Sequence, residues 1–401
     1  MPLRPLAASS TATGAPPPLW LLALVTISGT LAMHMFVPAL PDAARHFQVG
    51  SAAVQGTITA YIAGLALGQL VYGPLSDALG RRPMLLAGLA LYLVGGLAAM
   101  LAPSVSFLVT ARLVQALGGC AGLALGRAMV RDTHPGGEAV RALALLNLMM
   151  MVGPGLAPLL GSGLVALAGW RAVFALLTLG GAVTLVLAWR RVPETGTPLG
   201  SVRPAALARD YAALLRSPRF LGYALGGSCA TTSSYAFIAA APFIITEQLG
   251  RPLRDVGISL AVVMLGLAAG SMLASRLAQR VHVSRLLLGG NGISVACAAG
   301  FLLLELTGHL TLQAAIGLMV GFALGAGLAS PAALARVMAV DARRVGSAAG
   351  LYGFTQMALG ALFTAMVGWG SNPAMASAGL LFGAALAGQA CLQFALRRER
   401  G

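Results

Sequence analysis

Arg112 and His34 are the two residues best placed to handle charge. Arg112 lies in ARLVQALGG, inside an apolar run, with Gln115 nearly one helical turn away. A guanidinium stays charged at physiological pH, so in such a run it must face a cavity, find partners or snorkel to an interface. His34 lies in a second apolar run, and imidazole exchanges a proton near neutral pH. Each sits about six residues from the outer end of its segment, or roughly 9 Å along a helix, so the two share one level. Three roles stay open for His34: proton carrier, neutral hydrogen-bonding or substrate contact, and packed side chain.

No Asp or Glu occurs deep in an apolar run; Asp42, Glu247, Asp255 and Glu305 fall near outer ends. Proton coupling, if present, must therefore use His34, a more superficial carboxylate or a protonatable substrate. Tyr61, Gln55 and Thr59, Asn147, the stretch Thr231 to Tyr235, and Tyr352, Phe354 and Gln356 could form a substrate surface. Such groups equally join helices to each other in lipid. Met149 to Met151 read as packing. Cys120, Cys229, Cys297 and Cys391 are far apart with no CxxC, and read as buried small hydrophobes. His46, His134, His282 and His309 form no cluster, so neither a catalytic nor a metal site is expected, and the chain does not read as an enzyme.

The elements carrying these residues follow from composition. Of 401 residues, 58% are hydrophobic and 9% charged, with a mean hydropathy of +0.85. A soluble domain carries roughly 25% charged residues, so a water-facing surface cannot be built from this supply. The net charge of +15 comes from 26 basic residues, all Arg, against 11 acids. A nucleic-acid binder would spread them over a polar face, and no such face is present.

A bilayer core of ~30 Å needs about 20 apolar helical residues. That ruler gives twelve spans: 19–40, 52–74, 83–101, 106–127, 141–166, 170–189, 220–246, 255–277, 285–305, 311–334, 346–368 and 374–396. With the N-terminus inside, 21 Arg fall in cytoplasmic segments, four in outer loops, and Arg112 alone within a span. The positive-inside rule then predicts both termini in the cytoplasm. The cytoplasmic side carries seven acids and the outer side four, so Arg112 supplies the only charge that topology does not explain. The expected organisation is a flexible tail over 1–18, a six-helix bundle over 19–189, a cytoplasmic loop over 190–219, a second bundle over 220–396 and a tail over 397–401. The loop is basic, with a short amphipathic stretch from Leu207 to Leu215. A faint internal repeat supports two halves: GPLSDALGRRPMLL and GSMLASRLAQRVHVSRLLL lie six spans apart.

The turn after the second span, with Gly73, Asp77, Gly80, Arg81 and Arg82, strongly resembles the G-x-L-x-D-x-x-G-R-R loop of the major facilitator superfamily. VPALP, ARLVQALGG, RAMVRD, GLAPLLGSG before GWRAVF, and GSAAGLYGFTQ are similar to the Bcr/CflA-type drug-resistance branch. The resemblance implies an all-α integral membrane fold of twelve helices in two six-helix bundles around a central cavity. It also implies export of small organic compounds across the inner membrane by proton antiport. The energy source would be the proton gradient, with no cofactor and a monomer as the working unit. Its partners would be a small-molecule substrate, protons and membrane lipid, with no nucleic acid. Asp77 would pair with Arg127 or Arg131 on the fourth span and face the start of the eleventh at Gly346, forming a cytoplasmic gate. Gly153, Pro158 and Gly161 match the fifth-span pattern of antiporters, where Gly and Pro allow close approach and a bend. The chain departs from the branch at His34, where the pattern carries an Asp. An uptake symporter or uniporter of the same fold is the alternative expectation.

Overall fold

Backbone N–H and C=O groups find no water in hydrocarbon, so a chain this apolar satisfies them inside helices. A computed structural model describes residues 17–400 apart from 135, 197, 199, 201–203, 279, 342, 343 and 371. Most of the expected tail over 1–18, together with Arg4, Arg203, Arg343 and Gly401, lies outside the described residues.

Every element among the described residues is helical. The first span is α1 (Leu19–Phe36), a 3-10 turn at Val37–Ala39 and α2 (Leu40–Phe47). Then come α3 (Ser51–Leu79), α4 (Arg81–Met100), α5 (Val105–Thr133), α6 (Gly136–Ala168) and α7 (Trp170–Arg191). The amphipathic stretch in the long connection is α8 (Pro204–Leu215). The seventh span is broken into α9 (Pro218–Thr232) and α10 (Ser234–Phe243), followed by a π turn at Ile244–Gln248. The remaining spans are α11 (Leu253–Leu277), α12 (Val283–Leu306), α13 (Leu312–Ala339), α14 (Val345–Gly368) and α15 (Pro373–Arg400). Eleven helical segments among the described residues are long and apolar enough to cross a membrane. The expected span 141–166 falls within α6, whose shorter apolar stretch is Val152–Ala168.

Helix starts follow ordinary capping chemistry. The hydroxyls of Ser104, Ser217 and Thr311 each accept the backbone N–H three residues on, satisfying donors that the helix leaves unpaired. Large apolar side chains such as Val94, Leu101, Leu265 and Leu303 stand exposed on the outside of the molecule. That much exposed apolar surface suits lipid and would be a liability in water.

Helices α1 and α3 to α7 pack chiefly on one another, as do α9 to α15; the two sets meet where α3 lies against α14 and α6 against α11. Packing within each set relies on small residues. A Cβ on Gly118 of α5 would strike the Tyr92 backbone of α4, and one on Gly270 of α11 would strike the Leu324 carbonyl of α13. Between lipid-bathed helices, such close backbone approach supplies the dispersion that a hydrophobic effect cannot.

The two ends of the molecule differ. Away from the arginines, α10 reaches across to α2, α3 and the 3-10 turn, and the Gln55 amide lies 3.5 Å from the Ala239 carbonyl. At the Arg-rich end a cleft of about 320 Å³ lies between α3 and α5 on one side and α14 on the other, with α8 along one wall. At the opposite end a cavity of about 500 Å³ lies between α3 and α14 beside Gln55 and Gly368.

Candidate functional site

The tight turn after α3 depends on Gly80, whose φ of +102° is a conformation glycine adopts at little cost. The turn puts Arg81 at the first position of α4, one helical turn beyond Asp77. Arg81 bonds Asp77 at 2.6 Å, Asp132 at 3.0 Å and the Ser76 hydroxyl at 2.5 Å. The expected pairing of Asp77 with Arg127 or Arg131 is therefore corrected. The cation that Asp77 meets is Arg81, four residues on and already brought round by the turn. The end of α5 contributes an acid, Asp132, in place of a base. Arg82 donates to the Trp189 carbonyl at 2.8 Å, tying the turn to α7.

Glu194 completes this end and was not legible in the sequence. Its carboxylate accepts the backbone N–H groups of Arg81 at 2.8 Å and Arg82 at 3.1 Å, capping α4 from more than a hundred residues away. A negative charge there meets the positive end of the helix dipole.

Asp77, Arg81 and Arg131 share the cleft with Gly346 and Ser347 at the start of α14, and Gly73 also lines it. The first turn of α14 has its own carboxylate, however. Asp210 of α8 accepts from Arg344 at 2.9 Å and from the Ser347 hydroxyl at 3.4 Å. This bond holds the Arg344 guanidinium above its ordinary pKa, and burial likewise raises that of Tyr211 beside it. Arg81→Gln is expected to cost more than Asp77→Asn, because Arg81 bonds carboxylates of both α3 and α5. With charged hydrogen bonds worth about 1.5–3 kcal/mol each, Arg81→Gln should slow transport about tenfold and Asp77→Asn several-fold less, as initial vesicle rates would read.

Arg112 is completely buried. Its guanidinium donates to the Gln115 side-chain oxygen at 2.7 Å and the Ala32 carbonyl at 3.3 Å. It lies 3.9 Å from the Tyr61 ring centre, 5.2 Å from that of Phe36 and 5.6 Å from that of Phe174. Tyr61, expected on a substrate surface, is buried under the guanidinium and donates to the Gly29 carbonyl at 2.7 Å.

His34 shares its level with Arg112 but has a different partner. The ring Nδ1 lies 2.9 Å from the Thr30 carbonyl, and 6% of the residue is exposed. The depth arithmetic is sound, since Arg112 binds helix α1 two residues from His34. The faces differ. Val25, Gly29, Ala32 and Phe36 form the stripe against α5, with Gly119 on Gly29 and Gly122 on Val25. His34 belongs with Ile27 and Thr30, on the stripe that meets α6 at Gly153. Two residues along a helix is a rotation of about 200°, so sharing a level is not sharing a face.

The C-terminal set contributes its own polar cluster. Gln356 donates to the Thr231 hydroxyl at 3.0 Å and the Tyr352 hydroxyl at 3.3 Å. Tyr235 lies on Gly360 of α14, where Ile62 of α3 also reaches. The break between α9 and α10 falls at Ser233, whose hydroxyl bonds back to the Cys229 carbonyl, while Thr232 does the same to Ser228. Such back-bonding loosens a helix, and broken helices at depth line cavities. On α6, Gly153 faces Ile27 and Gly161 faces the Met35 carbonyl, while the Pro158 carbonyl abuts Gly257 of α11. This pattern seats one helix against α1 and α11 together. The side chain of Asn147 lies outside the described residues. Among the described residues no group of His, Cys, Asp and Glu could hold a metal ion.

Lipid-facing helices, a breach between two helical sets at one end and polar clusters at depth define a multi-pass membrane transporter. The sequence model of the Major Facilitator Superfamily matches residues 22–365, and the chain belongs to that family. It is thus a secondary transporter in fold, from a family of transporters and not of enzymes. It is 30% identical over 387 residues to the uncharacterized MFS-type transporter YdgK of Bacillus subtilis (strain 168), covering 95% of each chain. It is 29% identical over 344 residues to the multidrug transporter MdfA of Escherichia coli O6:H1, covering 84% of this chain and 82% of that one. Among solved structures, a D-xylose–proton symporter superposes with a TM-score of 0.70 at 16% identity, covering 92% of this chain and 95% of that one. A bacterial homologue of the human lysosomal transporter Spinster, inward-facing and unoccupied, gives 0.69 at 16% identity and 94% of both chains.

Proposed function

We propose that this protein exports small organic compounds, drug-like or metabolite, across a bacterial inner membrane by alternating access in exchange for protons, as a Bcr/CflA-type carrier. The observation that carries this reading is the cleft between the two helical sets at the Arg-rich end, lined by Asp77, Arg81, Arg131 and Ser347. With the Arg-rich end and both termini in the cytoplasm, this is a carrier waiting for cargo from inside the cell. Its working architecture is twelve spans in two six-helix bundles, 19–189 and 220–396, joined by the loop 190–219. Similarity to MdfA supports a broad range of organic cargo. The gate comprises Gly73, Asp77, Gly80 to Arg82, Arg127 and Arg131; the pathway comprises His34, Arg112, Gln115, Tyr61, Asn147, Tyr235 and Gln356; and Gly153, Pro158 and Gly161 shape the fifth span. The protein works as a monomer without a cofactor.

Expression in an efflux-deficient bacterium, screened against a compound panel with and without an uncoupler, tests export. Resistance abolished by the uncoupler supports it, and unchanged sensitivity to every compound refutes it. His34 is the one imidazole placed to carry the exchanged proton. His34→Ala should cut transport driven by an imposed pH gradient about tenfold or more, within the range of lost proton-transfer groups. Undiminished pH-driven flux in everted vesicles removes His34 from coupling. Uptake or uniport is favoured by one observation, the lack of any carboxylate within the spans, and the direction of flux in the same vesicles separates it from export.

A further inference from the structure

We infer that the transported molecule is an organic anion, selected by an interior that holds fixed positive charge and no negative side chain. This inference rests on the export reading and names its substrate class. All 11 Asp and Glu lie at helix ends or in connections. Asp42, Glu247, Asp255 and Glu305 are at one end of the molecule, and the other seven are at the Arg-rich end.

Three arginines run along α5 from that end inward: Arg131, Arg127 and Arg112. At 1.5 Å per residue, Arg127 lies about 6 Å and Arg112 about 28 Å from Arg131 along the helix. The acids near the mouth are already engaged, since Asp77 and Asp132 both bind Arg81. Arg127 and Arg131 have exposed side chains and make no ion pair among the described residues. Arg131 lines the cleft. Arg127 follows Gly126, which abuts Thr26 of α1, and lies two turns beyond Cys120, which bonds the Leu65 carbonyl of α3. It therefore projects from α5 on the side between α1 and α3.

Arg112, deepest of the three, has only neutral partners: an amide oxygen, a backbone carbonyl and three rings. Its Nε and the Gln115 Nε2 have no hydrogen-bond partner among the described residues, so this pair of buried donors is not fully satisfied. Guanidinium does not shed its proton to relieve the imbalance. A cation entering from the Arg-rich end meets like charge at Arg131 and Arg127 and approaches that of the buried Arg112, in surroundings that screen poorly. An anion meets countercharge at each, and the Tyr352 hydroxyl, itself an acceptor from Gln356, adds a donor from the opposite set. A potential negative inside the cell also drives an anion outward without any titrating group. An exporter of anions therefore has a driving force even where its spans carry no carboxylate. The cargo class is a partly apolar compound bearing one carboxylate or sulfonate.

The test uses the full chain reconstituted in liposomes and three probes sharing a naphthalene ring: a sulfonate, a neutral sulfonamide and a trimethylammonium. A potassium–valinomycin potential is imposed with no pH gradient. The sulfonate should move at least about tenfold faster than the ammonium, reversing with the sign of the potential, and Arg127→Gln should slow it about fivefold. Thermal midpoint and monodisperse elution establish that this variant is folded, and Arg131→Gln provides a second reading of the same charge. Ammonium moving as fast as sulfonate, sulfonate flux indifferent to potential, or three immobile probes would each overturn the inference. Sulfonamide alone leaving under a pH gradient would sink the anion while sparing export. Sulfonate flux together with uptake, rather than resistance, in cells would spare the anion and sink export.

Discussion

Arg112→Met is expected to fold about as well as the parent chain and to lose transport, whereas Arg112→Ala loses both. Among the described residues the buried guanidinium has no counter-ion, only Gln115, Ala32 and the rings of Tyr61, Phe36 and Phe174. Replacing a buried charge by an apolar side chain of similar volume is often neutral or stabilising by about 1–4 kcal/mol. Against that stand the Gln115 oxygen left without its donor, at about 1–3 kcal/mol, and the lost cation–π contacts, at about 0.5–2 kcal/mol each. Sulfur–aromatic contacts of about 0.3–1.5 kcal/mol each replace most of the latter. These terms come near to cancelling for methionine. Alanine gains the same relief but also opens a void among three aromatic rings, where large-to-small changes cost about 2–5 kcal/mol. Transport should fall about a hundredfold in both, since neither keeps a charge at this level and each tenfold corresponds to about 1.4 kcal/mol of barrier. Thermal midpoints in detergent separate the two variants, and vesicle flux should not. An active Arg112→Met would reduce the arginine to a packing element.

Gly161→Val is the second change with a large expected effect. A Cβ at this position of α6 runs into the Met35 carbonyl, and backbone cannot swing aside as a flexible side chain would. Helices α1 and α6 must separate, at an overpacking cost of about 1–3 kcal/mol or more. The same helix also touches α11 through Pro158 and Ser162, so the shift propagates to the other helical set and should abolish flux. Gly163 is an internal control: a Cβ there meets nothing within 4 Å. Gly163→Ala should be neutral or stabilising by up to about 1 kcal/mol, from helix propensity alone. Comparable thermal midpoints for the two variants would mean that α6 does not depend on this contact.

Spans and charges were legible in the sequence because lipid imposes simple rules on both. Their boundaries match the helices closely, and the break between α9 and α10, at Ser233, falls in a stretch of hydroxyl residues already singled out. The pairing of charges was not legible. Asp77 could reach several arginines from its position in the chain, and only the backbone at Gly80 decides for Arg81. The separation of His34 from Arg112 required knowing which face of α1 meets α5. That face is set by glycines on α5, which look alike in a chain with 52 of them. Glu194 and Asp210 were missed for a related reason. Each is an ordinary loop or surface acid by sequence, and each acquires a task only when a helix start folds next to it.

The cleft at the Arg-rich end has a pharmacological side. Under the proposed export reading, an inhibitor fitted to that cleft must reach it from the cytoplasm. It must first cross the bilayer and then accumulate against the outward traffic it is meant to stop. Potency on cells would then lag behind potency on the purified carrier by a margin that grows with expression level. A binder raised against the external surface would instead have to recognise the opposite state, and would act without entering at all.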